Sequence, residues 1–384
     1  MKKIVFVLVL SLMLAACQPT ATVTVTAVNP TVGQTVEIVT ATASSLPTQP
    51  LPTATTPATS VPAAMATPTV ATAPSNGLPD YSSNAYLDDR STPAGLILSF
   101  ANAINRHEYL RAYSYWVSPN SYLGTLDTFT NSLTNTASES VTFGQIIGEG
   151  AAGSVYYTAP AAVLDTLNGG GITKSAVCFI LRFPQPGNYG APPITPMNID
   201  KYTKTTVNAT TSDADTIASA CSSDDYPAGV PGDAAKVESL SDLSSNNYID
   251  NRSGAIEVIS SYINALNRHE YVRAYSYWQN PATTVGNYDN YAAGFNDTGS
   301  VTATFGTVSS DAGAGQFHYQ IPVAMKVLTT SNTQQTFVGC YTLHLSNPGI
   351  QGALPFEPLG ITVGKNKLVA NNTDVNPLLA TACN

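Results

Sequence analysis

The chain has 384 residues, 43% of them hydrophobic and only 11% charged, with 16 Lys+Arg against 25 Asp+Glu for a formal charge of −9. Its length accommodates two ordinary domains, and its apolar content excludes disorder throughout. The acidic balance excludes a nucleic-acid binder, whose phosphates must be met by a basic surface; no nucleic-acid partner is expected.

Lys2 and Lys3 precede an apolar stretch at 4–14, and the segment ends in Leu14-Ala15-Ala16-Cys17. The run is shorter than the roughly 20 residues a membrane-spanning helix needs, and reads as a signal peptide at 1–16. Leu-Ala-Ala-Cys resembles the bacterial lipobox. That resemblance implies removal of residues 1–16, lipidation of Cys17 with diacylglycerol and a further acyl chain, and anchoring to the outer face of a bacterial cell membrane. Residues 17–77 then read as a Thr/Pro/Ala-rich linker, with Glu37 the only charged side chain between residues 18 and 77. Prolines at 47, 50, 52, 57, 62, 68 and 74 remove backbone donors every few residues, so a disordered, largely extended stalk is expected. A Thr/Val alternation at 22–28 could pair as a strand.

An internal repeat dominates the rest of the chain. Residues 86–116 align without a gap with 248–278, an offset of 162, and 19 of the 31 positions are identical. The shared strings are Asn-Arg-His-Glu-Tyr at 105–109 and 267–271, and Arg-Ala-Tyr-Ser-Tyr-Trp at 111–116 and 273–278. The offset persists in Thr142-Phe143-Gly144 and Thr304-Phe305-Gly306, in Pro160 and Pro322, and in Ala220-Cys221 and Ala382-Cys383. The units are set at 78–221 and 240–383, joined by a connector at 222–239.

Four cysteines fall in the units, and Cys178 precedes Cys221 by the same 43 residues that separate Cys340 from Cys383. For an exported chain, one disulfide per unit is the simplest of three connectivities. A metal site lacks any C-x-x-C or Cys/His cluster, and free thiols would make the equal spacing an accident of duplication.

Within each unit, Ala94, Ile97, Phe100, Ala101 and Ile104, and again Ile256, Ile259, Tyr262, Ile263 and Leu266, mark an amphipathic helix. Pro93 suits its first turn behind Ser91 or Thr92 as cap. The helix is expected to end at Asn105, which can take a left-handed turn and cap a second helix through Asn105-x-x-Glu108, a variant capping box. On that second helix Tyr109, Ala112, Tyr113 and Trp116 share a face, and Glu108 and Arg111 are expected to pair on the solvent side. Strands are expected at 140–148, 154–165, 174–184 and 198–208, and 162 residues later. Helices followed by strands indicate an α+β fold with an antiparallel sheet in each of two tandem repeats.

A helix ending in Ile-Asn-x-x-Glu-Tyr, a second bearing Ala-Tyr and Trp, then a meander of strands resembles nuclear transport factor 2-like domains. The Asn-Arg-His-Glu-Tyr-x-Arg-Ala-Tyr-Ser-Tyr-Trp string also resembles uncharacterised exported bacterial repeat proteins. The first resemblance implies helices packed into a strongly curved sheet, a cone with a pocket at its open end. The chain departs from that pattern in having no Trp at 198–207 or 360–369, where many members carry Trp-x-Ile/Val, and in its disulfide-tied tail.

No catalytic residue, metal or cofactor is assigned. His107 and His269, the histidines shared by both copies, fall at the helix junction and read as turn residues. The shared carboxylates include Asp88 and Asp250, each two residues before an arginine and read as ion pairs leading into the first helix, and Glu149 and Asp311, read as exposed. Asp165 and His344 fall on strands, but their counterparts are Val327 and Arg182, so no catalytic pair is duplicated. Asn168-Gly169-Gly170-Gly171 lacks the Lys-Ser/Thr ending of a phosphate loop and reads as a turn. Tyr109, Tyr113, Tyr115 and Trp116, with Tyr271, Tyr275, Tyr277 and Trp278, read first as core and second as pocket lining. The expected function is a non-enzymatic, lipid-anchored extracytoplasmic protein whose duplicated modules bind a small molecule, an envelope polymer or a partner protein. Alternatives are an isomerase- or dehydratase-type enzyme with a carboxylate in one cone, and a surface spacer without ligand.

Overall fold

The computed structural model describes residues 79–222, Asp225 and 247–384. The expected signal peptide, Cys17, the expected linker with its Thr/Val alternation, and most of the expected connector lie outside the described residues. The fold is α+β, with two antiparallel five-stranded sheets, each preceded by helices. The first half runs α1 (Pro93–Asn105), α2 (Tyr109–Ser114), α3 (Pro119–Leu123), α4 (Leu126–Ser132), β1 (Thr136–Phe143), β2 (Ile147–Ala151), β3 (Ser154–Leu167), β4 (Ile172–Pro184), β5 (Asn198–Val207) and α5 (Asp213–Ala218). The second runs α6 (Ala255–Asn267), α7 (Tyr271–Ser276), α8 (Pro281–Thr284), α9 (Tyr288–Ala293), β6 (Thr298–Phe305), β7 (Ser309–Gly313), β8 (Gln316–Thr329), β9 (Gln334–Ser346), β10 (Gly360–Val369) and α10 (Asn376–Leu379). The sheets are ordered β1-β3-β4-β5 and β6-β8-β9-β10, with β2 and β7 continuing the edge on β3 and β8.

The expected strand at 140–148 is two strands in the structure. β1 leaves β3 at Phe143 opposite Ala161, and β2 joins it at Ile147 opposite Thr158. Pro160 sits in that gap, where its missing N–H costs no ladder bond, and its carbonyl accepts from Gly144 N at 2.8 Å. A Cβ on Gly144 would meet Ile217 Cγ2 at 2.5 Å and Pro160 Cγ at 3.0 Å. The Thr-Phe-Gly signature therefore marks a strand break packed against proline, as Gly306 and Pro322 repeat.

α1 starts as its sequence implies, with Thr92 Oγ1 accepting from Gly95 N and Pro93 in the first turn. Its polar side is not solvated. Ser99, Asn102 and Asn105 are buried because they satisfy the backbone of the segment lying over the helix. Asn102 accepts from Leu87 N and donates to the Ser82 and Ala85 carbonyls. Asn105 stays helical, accepts from Glu139 N and donates to the Glu139 carbonyl, fastening α1 to β1. The left-handed residue at the junction is His107, at φ 57°, and His269 repeats it at 56°. No capping box forms: Glu108 itself precedes α2 and makes no side-chain cap.

Glu108 turns instead to arginine, and the expected solvent-side pair is buried, with Arg111 at 0% exposure and Glu108 at 3%. Arg111 Nε donates to Glu108 Oε2 at 2.6 Å, Nη1 to the Leu87 carbonyl at 2.6 Å and to Tyr115 Oη at 3.0 Å, and Nη2 to Asn102 Oδ1 at 2.8 Å. Tyr115 in turn donates to Asp88 Oδ1, and the Tyr86 ring lies 4.7 Å from the Arg111 guanidinium carbon. Arg273 repeats the arrangement with Glu270, Ile249, Asn264, Tyr277, Asp250 and Tyr248. The planar fork of arginine fits this set of acceptors; a lysine could not reach them together.

The two node segments meet each other. Arg90 N donates to the Asp250 carbonyl and Arg252 N to the Asp88 carbonyl, while Asp88 N and Asp250 N donate to Ser253 Oγ and Ser91 Oγ. The bonds are reciprocal, so the junction has local two-fold character. Tyr248 packs on the first core and Tyr86 on the second, yet each core cluster draws on the helices and strands of one half, and among the described residues no strand is exchanged. Each half carries one disulfide: Cys178 of β4 to Cys221 beyond α5, and Cys340 of β9 to Cys383, with Cα–Cα distances of 4.9 and 5.0 Å. Closing a 43-residue loop stabilises the fold by about 4 kcal/mol in the chain-entropy model.

Arg111→Met takes the buried guanidinium from the Leu87 carbonyl and from Glu108, which keeps only Arg106 at 2.8 Å, and leaves Asn102 Oδ1 with Leu87 N alone. It is expected to lower unfolding free energy by about 3–5 kcal/mol in denaturant titration, with Arg273→Met equivalent. Arg111→Met combined with Glu108→Leu should cost less than the two single changes summed. Additive losses would show that the pair is not coupled.

Candidate functional site

The end of α2 is stitched to the start of β5: Val117 N donates to the Ile199 carbonyl and Ile199 N to the Tyr115 carbonyl. This places Trp116 over the sheet, edge-on to Tyr202 at 4.9 Å and to Phe100 at 5.9 Å. Gln279 and Ile361 seat Trp278 in the same way. Beside each indole, between helices and sheet, lies a cavity of about 370 Å³.

The first cavity is walled by Phe100 and Ile104 of α1, Phe129 of α4, Val163 of β3, Val177 and Phe179 of β4, and Tyr202 of β5. Its floor is charged. Glu139 stands directly opposite Asp165 across β1 and β3, and Lys204 reaches over from β5 to place Nζ 3.0 Å from Asp165 Oδ2. Burial first, and then the Asp165 charge and hydrogen bond, push the Glu139 carboxyl up to about 8, against the pull of Lys204. The cavity thus sets a carboxyl that keeps its proton at neutral pH beside an Asp–Lys ion pair.

The second cavity occupies the corresponding place with different chemistry. Val301, Val327 and Asn366 stand where the first has Glu139, Asp165 and Lys204, and Tyr262, Tyr291 and Tyr341 replace Phe100, Phe129 and Phe179. Asn366 donates to Tyr341 Oη at 2.9 Å. Gly364 replaces Tyr202, and a Cβ there would meet Trp278 Cη2 at 2.7 Å and Tyr341 Cε1 at 2.8 Å, so the indole of this half needs glycine beneath it. Polarity has moved from the sheet floor to the phenol tips on the walls.

Of the eight expected aromatic residues, Trp116 and Trp278 line these cavities. Tyr115 and Tyr277 are enclosed in the arginine nodes, because their hydroxyls are committed to Asp88 and Asp250. Tyr113 and Tyr275 brace the following loop through the Gly124 and Gly286 carbonyls. Tyr109 and Tyr271 bond the exposed ring nitrogens of His107 and His269, which serve the turn. Glu149 and Asp311 are exposed. Asp88 and Asp250 approach Arg90 and Arg252 at 3.9 Å. His344 stacks on His318 at 4.8 Å and contacts Gln279 and Gln316, away from the second cavity. A larger cleft of about 670 Å³ lies between the halves, bounded by Arg90, Arg182, Arg252 and Phe356. Among the described residues no group of three or more His, Cys, Asp and Glu could hold a metal, and no helix is long and apolar enough to cross a membrane.

Sequence alone does not single out Glu139 and Lys204, because neither recurs in the second half. The available signal is parity: Glu139 shares the inward face of β1 with Val141, and both are buried. The chain matches no protein-family model, no curated protein and no solved structure.

An unfolded glutamate loses its proton near about pH 4.3, whereas Glu139 in the native protein holds it to about 8. Between those values the native state binds more protons than the unfolded state, so stability falls as pH rises, by up to about 1.4 kcal/mol per pH unit. Glu139→Gln removes this slope. Denaturant midpoints at pH 5 and pH 8 should show the variant gaining on the native protein at the higher pH; parallel profiles would contradict the assignment.

Proposed function

We propose that this chain is a lipid-anchored extracytoplasmic binding protein whose two halves are nuclear transport factor 2-like cones, each holding a small ligand. One observation carries the reading: the two cavities share their position and volume while their linings have diverged, one with a charged floor and one apolar with phenol tips. A spacer needs no cavity, and duplicated catalysis would keep one set of reacting groups. Equal volumes with unlike linings suit two unlike ligands or two ends of one. The disulfides fit an oxidising compartment, and the lipobox-like Leu-Ala-Ala-Cys supplies the anchor at Cys17, with residues 18–77 as the stalk.

A second reading is supported by Glu139. A carboxyl that stays protonated to about pH 8 beside an Asp–Lys pair is equipped for proton transfer to a bound substrate, as an isomerase or dehydratase requires.

Two measurements test these readings. Intact mass of the native protein should show loss of residues 1–16 and acyl mass on Cys17; an unmodified Met1 would remove the anchor. Titration of the full isotope-labelled chain with a fragment set should shift the indole N–H resonances of Trp116 and Trp278 with different fragments. If no fragment moves either, the binding reading falls. Chemical conversion of a first-cavity fragment that stops with Glu139→Gln would establish the enzymatic reading instead; recovery of unchanged fragments supports binding.

A further inference from the structure

We infer that the second cavity takes a neutral, largely apolar ligand by one uncharged oxygen acceptor, an ether, ester, amide or alcohol oxygen, received by Trp278 Nε1 and Tyr291 Oη. This rests on reading the cavities as binding sites and names the ligand class for one of them.

Trp278 and Tyr291 are each 8% exposed, both line the second cavity, and Trp278 Nε1 and Tyr291 Oη make no hydrogen bond of good geometry among the described residues. Buried polar atoms are nearly always well paired, so two that make no well-aligned bond in one cavity favour a better partner from outside. An indole N–H can only donate, which fixes the complementary group as an acceptor. The two tips also converge: Tyr291 Oη lies within loose hydrogen-bonding reach of both Tyr262 Oη and Trp278 Nε1, so the three polar groups point at one spot, and a ligand oxygen would replace these poorly aligned contacts with well-formed ones. Tyr341, by contrast, already accepts from Asn366.

The rest of the lining sets the character of the molecule. Val301 and Val327 replace the carboxylates of the first cavity, and Met325 and Phe337 complete an apolar wall. Asp297 borders the cavity but is itself exposed. Burial holds the Tyr262, Tyr291 and Tyr341 hydroxyls above the ordinary tyrosine range, so they remain neutral donors at physiological pH. Among the described residues no buried counter-ion in this lining awaits a charged ligand, and about 370 Å³ suits a molecule of one or two rings.

The test compares tetralin with isochroman, which has the same shape with an ether oxygen in place of one methylene. In the unmodified full chain, isochroman should move the Trp278 indole N–H proton downfield, whereas tetralin should bind without that shift. The resonance is assigned by its loss in Trp278→Phe. Tyr291→Phe, which removes the hydroxyl and keeps the ring, should weaken isochroman about fivefold while leaving tetralin within about twofold. If both probes saturate the cavity without this discrimination, the acceptor assignment is overturned and the cavity remains a binding site. If neither binds saturably, the assignment falls and the binding reading of this half weakens with it.

Discussion

A guanidinium removed from water must have each of its donors met, and the packing of this protein follows from meeting that demand twice. Arg111 and Arg273 hold together three stretches that local propensity alone would leave loose: the segment before the first helix of each half, the polar side of that helix, and the short helix after it. Because the acceptors are backbone carbonyls and a carboxamide as well as a carboxylate, the geometry is specified from several directions. The same nodes abut at the junction of the halves, where the Asp88 and Asp250 backbones bond across it. Scaffold and junction are thereby parts of one construction.

With the second helix fixed, its last turn delivers an indole to the first residues of β5 and β10, and a cavity remains beside it. Cavity chemistry has then been free to differ. Glu139, Asp165 and Lys204 in the first half answer to Val301, Val327 and Asn366 in the second without any change in strand order. Conversely, residues of the nodes recur almost letter for letter, which identifies the repeated motif as structural. The most repeated string in this sequence marks the frame, and the linings of the two cavities are where the halves differ in chemistry.

That distinction explains which features are legible in the sequence. The 43-residue cysteine spacing, Pro93 in a first turn and strands close to 154–165, 174–184 and 198–208 all follow from local signals, and the structure has them. Spacing alone puts Arg111 on the solvent side, because a three-residue step establishes adjacency to Glu108 but says nothing of Leu87 or Tyr115, which close over it. Local pattern likewise gives Asn105 capping duties that fall elsewhere, since its partner is a strand 34 residues away. The charged floor is hidden for a different reason. A search for carboxylates kept in both copies discards Glu139, and the approach of Lys204 to Asp165 crosses an intervening strand that no local pattern reveals.

If the frame is carried by the buried arginines and the floor is free to vary, the first floor can be rewritten as the second. The decisive measurement is the thermal melt at pH 8 of the chain carrying Glu139→Val, Asp165→Val and Lys204→Asn together. One cooperative transition at or above the native melting temperature is expected, since a buried acid and the Asp–Lys pair beside it have been replaced by residues that the other half already uses. Loss of the cooperative transition, or a melting temperature many degrees lower, would show that the charged floor supports the fold and that frame and site are not separable.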